Sequence, residues 1–388
     1  MINRKISNKI KQLATKFPVI TVTGPRQSGK STLVKKLFSK LPYATLEDPD
    51  VRLLATNDPR GFLNNYPKGA ILDEVQHVPQ LFSYIQGIVD EKNKAGMFVL
   101  SGSQNFLLME NITQSLAGRT AICQLLPLSK SELQKAKIPT KDINELIYTG
   151  FYPRIYDKQI DPHDFYSGYV RTYLERDVRQ IKNITDHSLF VKFLKMCAAR
   201  VGSVLNLHSL ANDCGISPNT AKAWLSILET GFIIHLLQPY HNNFSKRLMK
   251  SPKIYFYDTG LVCYLLGLDK ADQVATHFLR GGLFENLVIA DALKHYYNIG
   301  KQSPLYYWKD KTHKEIDIII DKGNRKAIPI EIKSGETRTN DYFANFAYWN
   351  KVSDVKIPTN SVIYAGAKKV TTSAGTFVPF ATYESLLK

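Results

Sequence analysis

Residues 23–31 read TGPRQSGKS, with Gly24 followed after four residues by Gly29, Lys30 and Ser31. That spacing suits phosphate chemistry: backbone N–H groups cradle phosphate oxygens, a lysine reaches the terminal phosphates and a hydroxyl ligates magnesium. The candidate nucleotide-binding residues are Gly24, Pro25, Arg26, Gln27, Ser28, Gly29, Lys30, Ser31 and Thr32, with ATP and Mg2+ as cofactors and Ser31 as a metal ligand. Hydrolysis needs in addition a carboxylate in the magnesium shell and a group that activates water. Residues 68–76, KGAILDEVQ, offer both: Asp73 ends an apolar run, placed for the metal, and Glu74 follows as the candidate catalytic base.

Two further sets of residues fit phosphate chemistry or ordinary turns equally. The apolar run 97–100 opens into Ser101, Gly102, Ser103, Gln104 and Asn105, where Ser103 or Gln104 is placed to sense a terminal phosphate and where serine and glycine also serve plain turns. Arg119, in SLAGRT at 115–120, supplies a guanidinium for phosphoryl charge on its own or a neighbouring subunit, or else a surface salt bridge.

The last constellation lies near the end of the chain: FENL at 284–287, KEIDIII at 314–320 and PIEIKSG at 329–335. Side chains two apart on a strand share a face, so Glu331 and Lys333 project together while Ile330 and Ile332 turn to a core. A hairpin through residues 321–324 brings Asp317 beside Glu331, and Glu285 on an earlier helix completes the group. Carboxylates with one lysine suit magnesium-assisted phosphodiester hydrolysis, the acids Glu285, Asp317 and Glu331 holding metal and Lys333 orienting water. The set resembles the PD-(D/E)xK nuclease superfamily, which implies a restriction-endonuclease-like α/β domain; a charge-alternating edge strand is the plainer reading of the same residues. Lys309, Lys311 and Lys314, with Tyr306, Tyr307 and Trp308, are candidate nucleic-acid contacts, the aromatics serving equally as core.

These groups need elements to hold them. The β-branched run 18–22 feeds the phosphate loop, and Leu33, Val34, Leu37, Phe38 and Leu41 recur at helical spacing after it, so the helix N-terminus faces the phosphates. Residues 125–200 turn helical. Residues 207–228 read as a helix, a tight turn at Gly215 and a second helix capped by Ser217 with Pro218 at its first position. The β-like stretches 232–237 and 254–257 make the whole a winged helix-turn-helix, with Lys246, Arg247, Lys250 and Lys253 of the wing as the better phosphate contacts, or a purely structural unit.

Together, TGPRQSGKST, LEDPDVR (46–52), ILDEVQHVP (71–79), LSGSQNFLLMENITQSLAGRT (100–120) and YLERDVRQI (173–181) resemble the bacterial and archaeal AAA-family ATPases fused to a C-terminal domain of unknown function. The resemblance implies a doubly wound, parallel α/β core with an extra strand between the loop strand and the Asp73 strand. It implies little about biological role.

The chain of 388 residues is long enough for two to four domains, and they divide here as 1–125 ATPase core, 126–200 helical segment, 201–272 winged helix-turn-helix and 273–388 nuclease-like domain. A balance of 51 Lys+Arg against 34 Asp+Glu gives +17, which favours an anionic partner such as nucleic acid, DNA ahead of RNA. The first forty residues carry ten basic residues and no acidic one, placing part of the excess around the nucleotide site. Four scattered cysteines without a CxxC pair argue against a zinc ribbon or a disulfide framework and fit a reducing cytoplasm. The basic N-terminus lacks the apolar centre of a signal peptide, no run reaches membrane-spanning length, and Ile2, Ile6, Ile10 and Leu13 form a packing stripe. The reading is an ATP-hydrolysing switch acting on nucleic acid, with homo-oligomerisation open. The alternative is a regulatory or signalling ATPase with a degenerate, protein-binding C-terminal domain; a small-molecule kinase fits less well because Glu74 supplies a water-activating acid.

Overall fold

The computed structural model describes residues 2–103, 112, 114–140, 142–173, 186–240, 251–310, 312, 314–353 and 359–387. Gln104, Lys246, Arg247, Lys250, Lys311 and residues 174–181 of the charged run lie outside them.

Strands β1 (Val19–Thr23), β2 (Tyr43–Thr45), β3 (Ala70–Asp73), β4 (Phe98–Gly102) and β5 (Thr120–Gln124) form one parallel sheet in the order β2-β3-β4-β1-β5. The strand between β1 and β3 is β4, as the family resemblance implies. A parallel sheet is covered on both faces, which is why its strands read as continuous apolar runs. Helices α1 (Ser7–Ala14) and α2 (Lys30–Leu37) pack Ile6, Ile10, Leu33 and Val34 against Ile20, Val22, Ile71 and Val99. On the other face, α3 (Pro49–Asn57), α4 (Pro59–Asn64) and α5 (Leu81–Lys92) set Phe62, Leu63, Phe82 and Ile85 against Val19, Leu72 and Leu100. The sheet is therefore doubly wound, and its register places Thr23 beside Gly102 and Asp73 beside Ser101 at one end.

The chain then becomes helical: α6 (Lys130–Lys135), α7 (Ile143–Thr149), α8 (Pro153–Lys158), α9 (Pro162–Tyr173) and α10 (His187–Ala198). Helices α11 (Leu207–Cys214) and α12 (Pro218–Thr230) follow, with Gly215 left-handed between them and the Ser217 side chain accepting from the Thr220 amide. Ala221, Trp224, Leu225 and Leu228 form the buried stripe of α12. A two-stranded antiparallel ribbon, β6 (Ile234–Leu237) and β7 (Lys253–Phe256), completes this segment.

After α13 (Thr259–Leu265) and α14 (Ala271–Thr276), the long helix α15 (Arg280–Asn298) leads into a six-stranded mixed sheet. Its strands are β8 (Leu305–Lys309), β9 (Glu315–Gly323), β10 (Lys326–Lys333), β11 (Ser361–Tyr364), β12 (Val370–Thr371) and β13 (Thr376–Pro379), ordered β12-β13-β11-β10-β9-β8. One face shares its core with Leu283, Phe284 and Leu287 of α15; the other packs on Phe346 and Trp349 of α16 (Ala344–Val352). One apolar core joins Phe193, Leu228, Phe284 and Ile330 across the boundaries expected at 200 and 272, so the three stretches pack directly on one another. The cause is α15, which is buried on nearly every side, as expected of a helix at the centre of a domain. All four cysteines are buried and free, and no helix among the described residues is long and apolar enough to cross a membrane.

Candidate functional site

The phosphate loop leaves β1 at Thr23 and enters α2 at Lys30. Gly24 has φ +149°, and a Cβ there would stand 2.1 Å from the Leu125 carbonyl oxygen, so no side chain fits. Gly29 is left-handed and caps α2, pointing the helix N-terminus at the loop. Lys30 is 5% exposed, and its ammonium donates to the carbonyls of Gly24 (3.0 Å) and Pro25 (2.9 Å), curled inside the loop. The Ser28 hydroxyl is buried and has no partner among the described residues. A hydroxyl orphaned in a loop of this shape fits a phosphate acceptor.

A cleft of about 970 Å³ opens over the loop, lined by Arg26, Gln27, Ser28, Gly29, Lys30, Ser31 and Thr32, by Arg4, Glu47 and Glu74, and across from them by Pro153, Arg154, Asp157 and Lys158 of α8. Asp73 ends β3 and is buried, its carboxylate accepting from the Ser101 hydroxyl (2.5 Å) and the Tyr43 hydroxyl (2.7 Å). Burial, with the Asp73 carboxylate, pushes the Tyr43 hydroxyl well above the usual phenol range and keeps it a donor. Glu74 is left-handed, and its Oε2 accepts from Gln76 Nε2 (2.5 Å), the Ser103 amide (3.3 Å) and the Ser103 hydroxyl (3.2 Å). Ser103 thus meets the acid. Ser31 and Asp73 provide hard oxygen donors of the kind magnesium takes.

Arg119 requires a correction for its own chain. It immediately precedes β5, its carbonyl accepts from the Val19 amide, and its guanidinium is paired with Asp90 (2.5 and 2.8 Å) on the exposed surface. In a parallel sheet that is the amino end of the strands, opposite the loop. Sequence reasoning missed Arg4, Glu47 and Arg154. Arg4 belongs to the basic run of the first forty residues, whereas α8 carries no phosphate-binding pattern and reaches the cleft only through tertiary packing.

In the C-terminal sheet, the pairing of Ile330 with Ile318 sets Glu331 against Asp317 across the β9–β10 hairpin. Asp317 Oδ2 accepts from the Ile332 amide (2.7 Å) and lies 3.7 Å from Lys333 Nζ, which is 2.5 Å from Glu331 Oε2. Strand β10 lies inside the sheet, and Glu331 is 2% exposed, which replaces the picture of a solvated edge strand. Burial, reinforced by Asp317, pushes the Glu331 carboxyl up to about 8. Burial pulls the Lys333 ammonium down, but Asp317 and Glu331 outweigh it and hold the group above the usual lysine range.

Glu285, from α15, joins this group, but not through open oxygens. Its Oε1 accepts from Tyr255 (2.5 Å) and from Lys253 Nζ (2.8 Å), and burial raises the carboxyl to about 7. Lys253 also pairs with Glu315 and lies 3.9 Å from Asp317 Oδ1, while Lys309 pairs with Glu315 at 2.8 Å. The reading of Lys253 as an exposed wing contact for phosphate is therefore corrected: it is 2% exposed and faces carboxylates. As arranged, Glu285 and Asp317 face two ammonium groups, and the set does not fit a divalent cation. Glu315 was legible as the period-two neighbour of Asp317; Lys253 and Tyr255 carried no such signal. Among the aromatics, Tyr307 is buried with its hydroxyl on the Ser251 carbonyl, and Trp308 packs edge-on against Trp349, both serving the core.

Residues 16–134 match the family described as AAA domain, residues 140–272 match Domain of unknown function (DUF8612), and residues 280–383 match Domain of unknown function (DUF4143). The uncharacterized protein Rv2008c of Mycobacterium tuberculosis is 27% identical over 366 residues, covering 94% of this chain and 80% of its own. MJ1544 of Methanocaldococcus jannaschii, also uncharacterized, is 25% identical, with 92% and 83% covered. The Walker-type ATPase PABY2304 of Pyrococcus abyssi superposes with a TM-score of 0.48 at 13% identity, covering 68% of this chain and 96% of that one. The chain thus carries an AAA-type P-loop ATPase domain, followed toward its end by a DUF4143 domain.

Proposed function

We propose that the protein is an ATP-driven switch that hydrolyses ATP in the cleft above the phosphate loop and engages nucleic acid through a nuclease-like C-terminal scaffold. The observation that carries the first part is the loop itself, where an inward lysine, an orphaned serine hydroxyl and a helix N-terminus converge beneath a cleft. Lys30 binds the terminal phosphates, the loop amides orient them, and Ser31 and Asp73 hold magnesium. Magnesium neutralises phosphate charge when bound. Glu74, held by Gln76 and Ser103, takes the proton of the attacking water at its carboxylate.

The nucleic-acid part is supported by the +17 balance, and the nuclease-like reading of the scaffold by the approach of Asp317, Glu331 and Lys333. Titration of labelled DNA and RNA by fluorescence anisotropy, with and without ATP and magnesium, tests it. Affinity that falls steeply with salt supports phosphate contact. Absence of binding at low salt in every nucleotide state removes the nucleic-acid reading and leaves the ATPase standing.

A further inference from the structure

The ammonium of Lys253 does not belong to the C-terminal sheet. It comes from the first residue of β7, in the two-stranded ribbon after α12, and reaches across to carboxylates on α15 and β9. The ribbon is fixed there by Asn286 of α15, whose side chain accepts from the Phe256 amide (2.6 Å) and donates to the Phe256 carbonyl (3.0 Å). The hydroxyl of Tyr255, two residues along, donates to the same Glu285 oxygen as Lys253 does.

We infer that Lys253 is the resident cation of the carboxylate centre: its ammonium occupies the place a divalent ion would take among Glu285, Glu315 and Asp317, and closes the centre to metal while β7 is seated. The inference rests on reading the centre as a nuclease-like carboxylate cluster. A buried carboxylate requires a counter-charge or hydrogen-bond donors, and here the chain supplies both from one strand. A metal entering beside a seated ammonium would meet a like charge at hydrogen-bond range in a site screened from water. Removing that ammonium while keeping the strand leaves three acids from two elements, each within 4 Å of the place it held, which would have to draw together to ligate a hard divalent ion, with Lys309 and Lys333 still beside Glu315 and Asp317.

The test is calorimetric titration of the full chain with Mn2+ alone, comparing wild type, Asp317→Asn, Lys253→Met, Lys253→Gln and Lys253→Met with Asp317→Asn. Wild type is expected to show no Asp317-dependent site tighter than the millimolar range. Lys253→Met, which keeps the apolar stem, gains one site bound at least tenfold more tightly, and Asp317→Asn abolishes it. Lys253→Gln keeps a donor for Glu285 and serves if the methionine variant fails to fold, as judged by circular dichroism. An Asp317-dependent Mn2+ site in wild type, measurable whatever the variants do, overturns the inference; so does a folded neutral variant without a new site. Cleavage of DNA and RNA is scored separately. A variant that gains the ion and cuts nothing supports the inference and removes the nuclease reading, whereas magnesium-dependent, Asp317-dependent cutting by wild type overturns the inference and supports that reading.

Discussion

Arg4 holds Ser28 from behind: its Nη1 donates to the Ser28 carbonyl at 2.7 Å, while Nη2 donates to the Leu126 carbonyl at 2.6 Å and Nε to Glu132 at 3.2 Å. One buried guanidinium thus ties the phosphate loop to the segment that follows β5. The planar fork of arginine meets these acceptors at once, which a lysine point charge cannot do. Arg4→Ala takes the ion pair from buried Glu132, leaving it the Lys5 and Ser129 amide donors, and we expect it to cost about 3 kcal/mol in stability, with Arg4→Lys recovering less than half. Chemical denaturation checks this, and a loss below about 1 kcal/mol would remove Arg4 as a structural tie.

Lys30→Ala and Glu74→Gln separate binding from turnover. The first is expected to weaken ATP binding at least tenfold; the second to retain ATP but lower turnover by roughly a hundredfold, the usual scale for losing a positioned base. Equilibrium binding and steady-state hydrolysis report the two effects, and wild-type turnover in both variants would sink the site assignment.

The two arginines are predicted to differ. Arg154→Ala, on the wall of the cleft, is expected to weaken nucleotide affinity severalfold, while Arg119→Ala leaves turnover within about twofold because its partner is Asp90 at the far end of the sheet. Loss of turnover in Arg119→Ala that steepens on dilution would place that guanidinium in a neighbouring subunit's site.

The Glu331 carboxyl gives a pH test with a definite sign. Its folded value near 8 lies above the unfolded value of 4.5, so its contribution is fully present below pH 4.5 and lost as pH rises toward 8. In that window the folded chain binds more protons than the unfolded one. Glu331→Gln, which stays neutral, should therefore gain melting temperature relative to wild type between pH 5 and pH 8.5. A relative loss over that range would mean that pairing with Lys333 outweighs burial.

What the sequence makes legible is what it holds contiguously. The strand, loop and first helix around Lys30 are neighbours along the chain, and the Asp317–Glu331 pair needs only a hairpin and the two-residue period of a strand. Lys253 stands 32 residues before Glu285, with its approach decided by how the ribbon packs on α15, and no local pattern encodes that distance. Arg119 fails for a directional reason: a residue just before a parallel strand sits at the sheet's amino end, whereas a phosphate loop follows one.

Helix α15 carries Glu285 toward the carboxylate centre and, six residues on, Asp291, which accepts from the Lys130 amide (2.7 Å) and the Tyr383 hydroxyl (2.7 Å). Ribbon, helix and terminal sheet consequently do not behave as interchangeable modules. Grafting α15 and the last sheet of a relative together onto this chain would part Lys253 from its acids and Lys130 from Asp291 in one operation, each leaving a polar group stranded in the interior. Even exchanging the whole stretch behind the ATPase sheet, from the turn after β5 onward, would part buried Arg4 from Glu132 and the Leu126 carbonyl, so Arg4 and its partners have to travel together.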